Sequence, residues 1–138
     1  MAESLTPTIA ERLAAADELL RGTVTDAGGL WSRAAVWLLR IALEQSIDQL
    51  WLQVAPPLAR CSMRAQLLAL DSWVGPDVAA RIATVWATLS RAGHHHDYEL
   101  PPTLIELRGW YDETVRLVEE LAQLGERDEA RAETMRSG

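Results

Sequence analysis

Apolar residues recur along this chain at three- and four-residue intervals, interrupted by glycine and proline, a pattern that predicts helices and no strands. A first helix is expected over residues 6–21, with Ile9, Leu13, Ala16 and Leu20 on one stripe. Thr6-Pro7 offers it a start with proline at the first helical position, and Thr8 with Glu11 offers a capping box one register later. Gly22 can end this helix, and residues 23–29 read as a loop with two adjacent glycines. The longest and most apolar helix follows, from Leu30 to about Gln53. Its apolar residues (Leu30, Ala34, Trp37, Leu38, Ile41, Ala42, Ile47 and Leu50) fill more than one face, which predicts a central helix with neighbours on several sides. Its charges gather on a narrow strip of Arg33, Arg40, Glu44 and Asp48. Arg40 and Glu44, four residues apart, are spaced for an ion pair on one turn; alternatively they form a polar seam facing a histidine-rich stretch later in the chain.

Pro56-Pro57 stops the central helix. A third helix is expected from about Ser62 to Trp73, with Leu67, Leu68 and Leu70 apolar, and Gly75-Pro76 starts a fourth. Val78, Ile82, Val85 and Leu89 make that helix's core stripe, while Arg81, Thr84, Thr88 and Arg91 run along another face. Gly93 is placed to cap its C-terminus. After Pro101-Pro102, Thr103 and Glu106 form a second capping box, and Leu104, Leu107, Tyr111, Val115, Val118 and Leu121 carry a fifth helix. The expected architecture is all-α: a single-domain bundle of five helices over residues 1–125, largely antiparallel because the connections are short. Residues 126–138 form a charged extension of the fifth helix, expected to be frayed and too poor in apolar surface to pack.

Length and composition agree with this. A chain of 138 residues is one domain with enough length for a real core. It has no phenylalanine and six tryptophans, so tryptophan supplies the bulky apolar side chain, some of it expected at an interface. There is no lysine; all 13 basic residues are arginine, a bias of coding that makes any single arginine weak evidence of function. The net charge of −7 argues against a general nucleic-acid coat and leaves room for a local basic pocket on an acidic body. The lone Cys61 cannot form an intramolecular disulfide and is expected to pack as a small apolar residue in a reducing compartment. The N-terminus has neither the basic nor the apolar region of a signal peptide, and Leu30 to Val54 carries four charges, so a cytoplasmic protein without a membrane span is expected.

Chemistry is concentrated in one stretch, RAGHHHDYELPP, from Arg91 to Pro102. It holds all three histidines, an arginine, two carboxylates and a tyrosine. Successive side chains diverge in either a helix or an extended strand, so at most two of the histidines act together without outside help. One reading makes them a polar helix terminus, where imidazolium is mildly favoured by the helix dipole. A second makes His94, His96, Asp97 and Glu99 metal ligands, but no HExxH, paired cysteines or further histidine completes such a set. A third is a metal-free catalytic or phosphate-binding pocket, needing no cofactor, built on Arg91 and a histidine. Tyr98 and Leu100 would then pack the turn, while Asp97 or Glu99 either stays solvated or orients a histidine by accepting its second N–H.

Arg91-Ala-Gly-His-His-His96 is an R-x4-H motif at the end of a helix in a small all-α chain, and in this it resembles the HEPN superfamily, whose motif is R-x4–6-H. The segment LLRIALEQSIDQLW, a long early helix carrying Arg40 and Glu44, is similar to those domains as well. The resemblance implies a metal-independent ribonuclease, in a toxin–antitoxin or defence setting, acting as a dimer with both motifs at the interface. His96 would be the general acid or base in attack of the RNA 2′-hydroxyl on the adjacent phosphate, and Arg91 would hold that phosphate. His95 is one position short of the spacing. Asp97, Glu99, Arg40 and Glu44 would support the site. The family commonly has a polar residue directly after the arginine, where this chain has Ala92, and many members serve as binding modules. A non-catalytic helical interaction module, as a homodimer or a subunit of an assembly, therefore stands beside the nuclease. It expects Trp31, Trp37 or Trp110 to be partly exposed in a lone protomer. A small-molecule or metal sensor using the histidine turn is a third reading.

Overall fold

The computed structural model describes residues 6–22, 30–94 and 100–138, and within them the protein is an all-helical, single-domain bundle. Its elements are α1 (Ile9–Leu20), α2 (Leu30–Val54), a 3-10 turn (Pro56–Arg60), α3 (Met63–Val74), α4 (Pro76–Gly93) and α5 (Leu104–Ser137). Local chemistry sets the boundaries. The Thr8 hydroxyl accepts the Glu11 amide at 3.1 Å and so starts α1. Ser62 caps α3 in the same way, and Pro76 opens α4, where its missing N–H costs nothing. At the head of α5, the Thr103 hydroxyl accepts from the Glu106 amide while the Glu106 carboxylate accepts from the Thr103 amide, each at 3.1 Å. Gly22 and Gly75 take positive φ (72° and 85°), a region closed to most side chains, and this lets the chain turn out of α1 and between α3 and α4.

Everything packs around α2. At one end Ala35, Val36 and Leu39 are buried with Ala16 and Leu20 of α1, Leu89 of α4 and Leu107 of α5. At the other end Leu43, Ile47, Leu50 and Trp51 are buried with Leu70 of α3, Ile82 of α4, and Leu117 and Leu121 of α5. The order of these contacts gives the directions. Contacts from Gln45 to Pro7 and from Trp37 to Arg12 make α1 antiparallel to α2, and those from Trp86 to Glu44 and from Gly93 to Val36 do the same for α4. Helix α5 runs in the same sense as α2, from Leu107 beside the first cluster to a Gln53–Glu129 hydrogen bond of 3.3 Å beyond the second.

Polar links fix the outer helices. Arg108 of α5 donates to Asp17 of α1 at 2.7 Å and lies 5.2 Å from the Tyr111 ring centre. Arg81 of α4 reaches Glu113 and Glu120 of α5, each at 3.2 Å. Buried Gln66 holds the 3-10 turn by donating to the Ala59 and Cys61 carbonyls at 3.3 and 3.0 Å.

Several expectations change. Helix α1 starts at Thr8 rather than at Thr6-Pro7, because the Thr8 hydroxyl is the one that reaches a free amide. Gly93 is the last residue of α4 and keeps negative φ, so His94 in extended conformation is the cap. Leu30, Ala34 and Trp37 lie on the outer side of α2, and its buried set includes Leu39, Leu43 and Trp51 instead. On α5, Thr114 and Leu117 replace Val115 and Val118 at the fully buried positions. Leu68 is exposed, and so is Cys61, whose thiol donates weakly to the Pro57 carbonyl at 3.8 Å. Helix α5 continues through the charged extension to Ser137, and its Arg127, Asp128 and Arg131 lie beside Leu50, Val54 and Trp73. Expectations for residues 1–5, for the loop at 23–29 and for residues 95–99 lie outside the described residues.

The tie between α1 and α5 predicts a pH signature. The hydrogen bond from Arg108, aided by the nearby Arg21 charge, holds the Asp17 carboxyl below its ordinary value of 3.8. A depressed carboxyl stabilises the fold above its unfolded value and loses that contribution as pH falls through its folded value. D17N should therefore melt below the wild type at neutral pH, and the gap should narrow below about pH 4 and close once the wild-type carboxyl is protonated. Thermal melts across that range test this, and a gap independent of pH would remove the charge from the explanation.

Candidate functional site

A hollow of about 650 Å³ lies where the N-terminal half of α2 passes the C-terminal end of α4. A smaller one of about 270 Å³, lined by Leu50, Val54, Trp73, Leu124 and Arg127, sits at the other end of α2. The larger cleft has an apolar floor of Val36 and Leu89, and its rim carries Leu30, Arg33, Trp37, Arg40, Gly93 and His94. The backbone explains the grouping. Residues 30, 33, 37 and 40 recur every three or four positions and so share one side of α2, and α4 ends against that side at Gly93.

Some arginines of the described chain are paired with carboxylates, and those of this cleft are not. Arg21, Arg81, Arg108 and Arg116 each sit within 2.7–3.4 Å of a carboxylate. Arg33 and Arg40 make no ion pair among the described residues. The Nε of Arg40 is buried without a hydrogen-bond partner there, as is the Nε of Arg12, whose guanidinium lies 5.4 Å from the Trp37 ring centre. Arg33, Trp37 and Arg40 thus line one cleft, with the Arg12 guanidinium over the indole, on a chain of net charge −7. The first turn of α2 forms part of the rim, and the positive end of its helix dipole lies there. The carbonyls at the end of α4 oppose this with partial charges of about −0.5 in total, less than the two full charges of Arg33 and Arg40. An anion is the natural complement of such a cleft, since two guanidinium charges line it without a carboxylate partner among the described residues.

The expected site residues fall into three groups. Arg40 lies on the cleft. The Arg40–Glu44 ion pair is not formed, because Glu44 turns to accept the Trp86 indole N–H at 3.4 Å. Arg91 occupies the last turn of α4 with an exposed side chain that does not line the cleft, and its carbonyl accepts the His94 amide at 3.1 Å. His95, His96, Asp97 and Glu99 lie outside the described residues. His94, one of the possible metal ligands by sequence, is on the cleft rim. Among the described residues no three His, Cys, Asp or Glu side chains are grouped to hold a metal ion. No helix of the described chain is long and apolar enough to cross a membrane.

Sequence reasoning missed Arg12, Trp37 and Leu30 as members of this site. Arg33-x3-Trp37-x2-Arg40 does carry a cation–aromatic–cation signal on one helix face, but Trp37 reads as core when α2 is apolar all round. The approach of Arg12 depends on how α1 pairs with α2 and leaves no local trace in the sequence. No family model, curated protein or solved structure gives a significant match to the chain.

The unpaired arginines predict an anion effect that can be measured directly. Inorganic pyrophosphate at low ionic strength should raise the melting temperature of the wild type by a few degrees, since ligand at ten times Kd stabilises by about 1.4 kcal/mol. R33Q/R40Q should lose that rise, while R60Q/R64Q, altered on the exposed surface around α3, should retain it. Equal behaviour of the two variants would mean that no localised anion site exists in the cleft.

Proposed function

We propose that this protein is a HEPN-like, metal-independent RNA endonuclease of a toxin–antitoxin or defence system, acting as a homodimer with Arg91 and His96 as its reactive pair. The observation that supports this reading is that α4, with Arg91 in its last turn, ends at Gly93 and His94 on the rim of a cleft that bears Arg33 and Arg40, neither ion-paired among the described residues. A reactive histidine needs a phosphate held beside it, and the neighbouring wall has the charge to attract one.

In this account His96, with His95 next to it, removes the proton of an RNA 2′-hydroxyl, and the oxygen attacks the adjacent phosphorus. The O2′–P bond forms and the P–O5′ bond breaks. A second imidazole, which a dimer can supply from the partner motif, gives a proton to the leaving 5′-oxygen. Imidazole suits both tasks because its unperturbed pKa lies close to neutrality, and the Arg91 guanidinium suits the phosphate because charge accumulates on the non-bridging oxygens as phosphorus becomes five-coordinate. Asp97 or Glu99 orients a histidine, and Arg40 holds the neighbouring phosphate.

A second reading rests on a different observation. Leu30 and Trp37 are 59% and 50% exposed together on the cleft rim, which suits a non-catalytic interaction module. The partner would then be a second copy or another subunit, and Trp37 would be covered in the assembly.

The two readings separate in a cleavage assay with chelator present. The wild type should cut single-stranded RNA, H96A should cut it about 10²–10⁴-fold more slowly, as loss of a general acid or base implies, and R91A should fall by a similar factor. H94A should retain more activity than H96A. Undiminished cleavage by H96A would remove the nuclease assignment, and absence of cleavage by a correctly folded dimer would favour the interaction module.

A further inference from the structure

The cleft contains more than a charge. Trp37 lies between two arginines of its own helix, with Arg12 of α1 over its ring at 5.4 Å, and it remains half exposed. Half exposure of an indole on a rim that also holds the exposed Leu30, above an apolar floor of Val36 and Leu89, is costly in water, so this arrangement favours a ligand that is flat, apolar on its faces and anionic at its edge. A nucleotide in a single strand has that form: its base offers a π-face and its phosphate offers charged oxygens about one nucleotide length away. The volume of about 650 Å³ falls within the range of small-ligand sites, so it can take one base with its sugar and phosphate.

We infer that Trp37 is a base-stacking platform for single-stranded nucleic acid, with Arg33 and Arg40 holding the phosphates on either side of the stacked base. Arg12 covers one part of the ring and fixes its orientation through a cation–π contact, which leaves the remaining exposed surface to the incoming base. Arg33 and Arg40 flank Trp37 at four and three positions along one helix face, so phosphates bound there bracket the platform. Stacking is tolerant of base identity, so this site discriminates unpaired strand from duplex and does not read sequence. The inference deepens the proposed nuclease reading by naming its substrate as unstacked, single-stranded RNA, and it rests on that reading for the fate of the strand but not for its binding.

The test uses the full-length protein and a fluorescein-labelled 2′-O-methyl oligoribonucleotide, which cannot be cleaved because its 2′-oxygen is blocked. W37A should weaken binding roughly 5- to 100-fold, the range expected for loss of one stacked base, while W37Y should stay close to the wild type. W73A, which removes another half-exposed tryptophan at the far end of α2, should bind normally. An abasic oligomer of the same length should bind the wild type as poorly as the complete strand binds W37A, which tests stacking without any substitution. Equal binding of abasic and complete strands would overturn the inference, as would equal losses in W37A and W73A. A dimer that depends on Trp37 and ignores the oligonucleotide would overturn it too, in favour of a second copy as the occupant. If the strand binds through Trp37 but unblocked RNA is never cut, the nuclease reading fails and this one stands. If RNA is cut while W37A binds normally, this one fails alone.

Discussion

The fold depends on burying a 25-residue helix on several sides at once. Helix α2 achieves this by alternating large and small residues. Leu39, Leu43, Ile47 and Trp51 fill the core, while Ser32, Ala35, Ala42 and Ser46 let neighbouring backbones approach. Helices α1, α4 and α5 therefore meet α2 on different sides, and each can present only one stripe to it. What remains of the α2 surface toward its N-terminal half is the strip with Arg33, Trp37 and Arg40, which no described helix covers completely. The candidate site is thus the part of the central helix that the bundle leaves open.

The same packing determines which polar groups can serve a ligand. Arg81 and Arg108 are committed to carboxylates that tie α5 to α4 and α1, and Gln66 is committed to the 3-10 turn. Glu44, the nearest acid along the strip from Arg40, is engaged by the Trp86 indole. Arg40 is left without a carboxylate among the described residues, so these residues place a local positive charge where α2 begins and α4 ends on a net acidic protein. A local field of this kind acts at short range, since charges in water are screened over about 8–10 Å at physiological salt. The acidic remainder of the surface then disfavours indiscriminate nucleic-acid binding without abolishing a contact made inside the cleft.

Much of the fold could be read from the sequence, and the reasons are local. Glycine and proline at 22, 56, 57, 75 and 76, and the Thr103–Glu106 box, mark helix ends through chemistry contained within a few residues. The stripe of Ile82 and Leu89 on α4 could be read because that helix has one apolar face. Helix α2 has none, so periodicity could not distinguish Trp37, half exposed, from Trp51, fully buried. The choice of Thr8 over Thr6 as a cap, and of His94 over Gly93, turns on backbone geometry that both sequences of residues permit. Of the candidate site, the arginine strip and the histidine stretch could be seen separately. The approach of His94, at the end of α4, to the arginine strip of α2 is a long-range contact, and the approach of Arg12 to Trp37 is another.

The most direct test of a phosphate-binding, base-stacking cleft is a crystal structure of the protein with a short 2′-O-methyl RNA. The account predicts an unpaired base against Trp37 and phosphate oxygens within hydrogen-bond distance of Arg33 and Arg40, close to the end of α4. RNA bound on another surface, such as the smaller hollow beside Trp73 and Arg127, or a second protomer seated over Trp37 in its place, would contradict it.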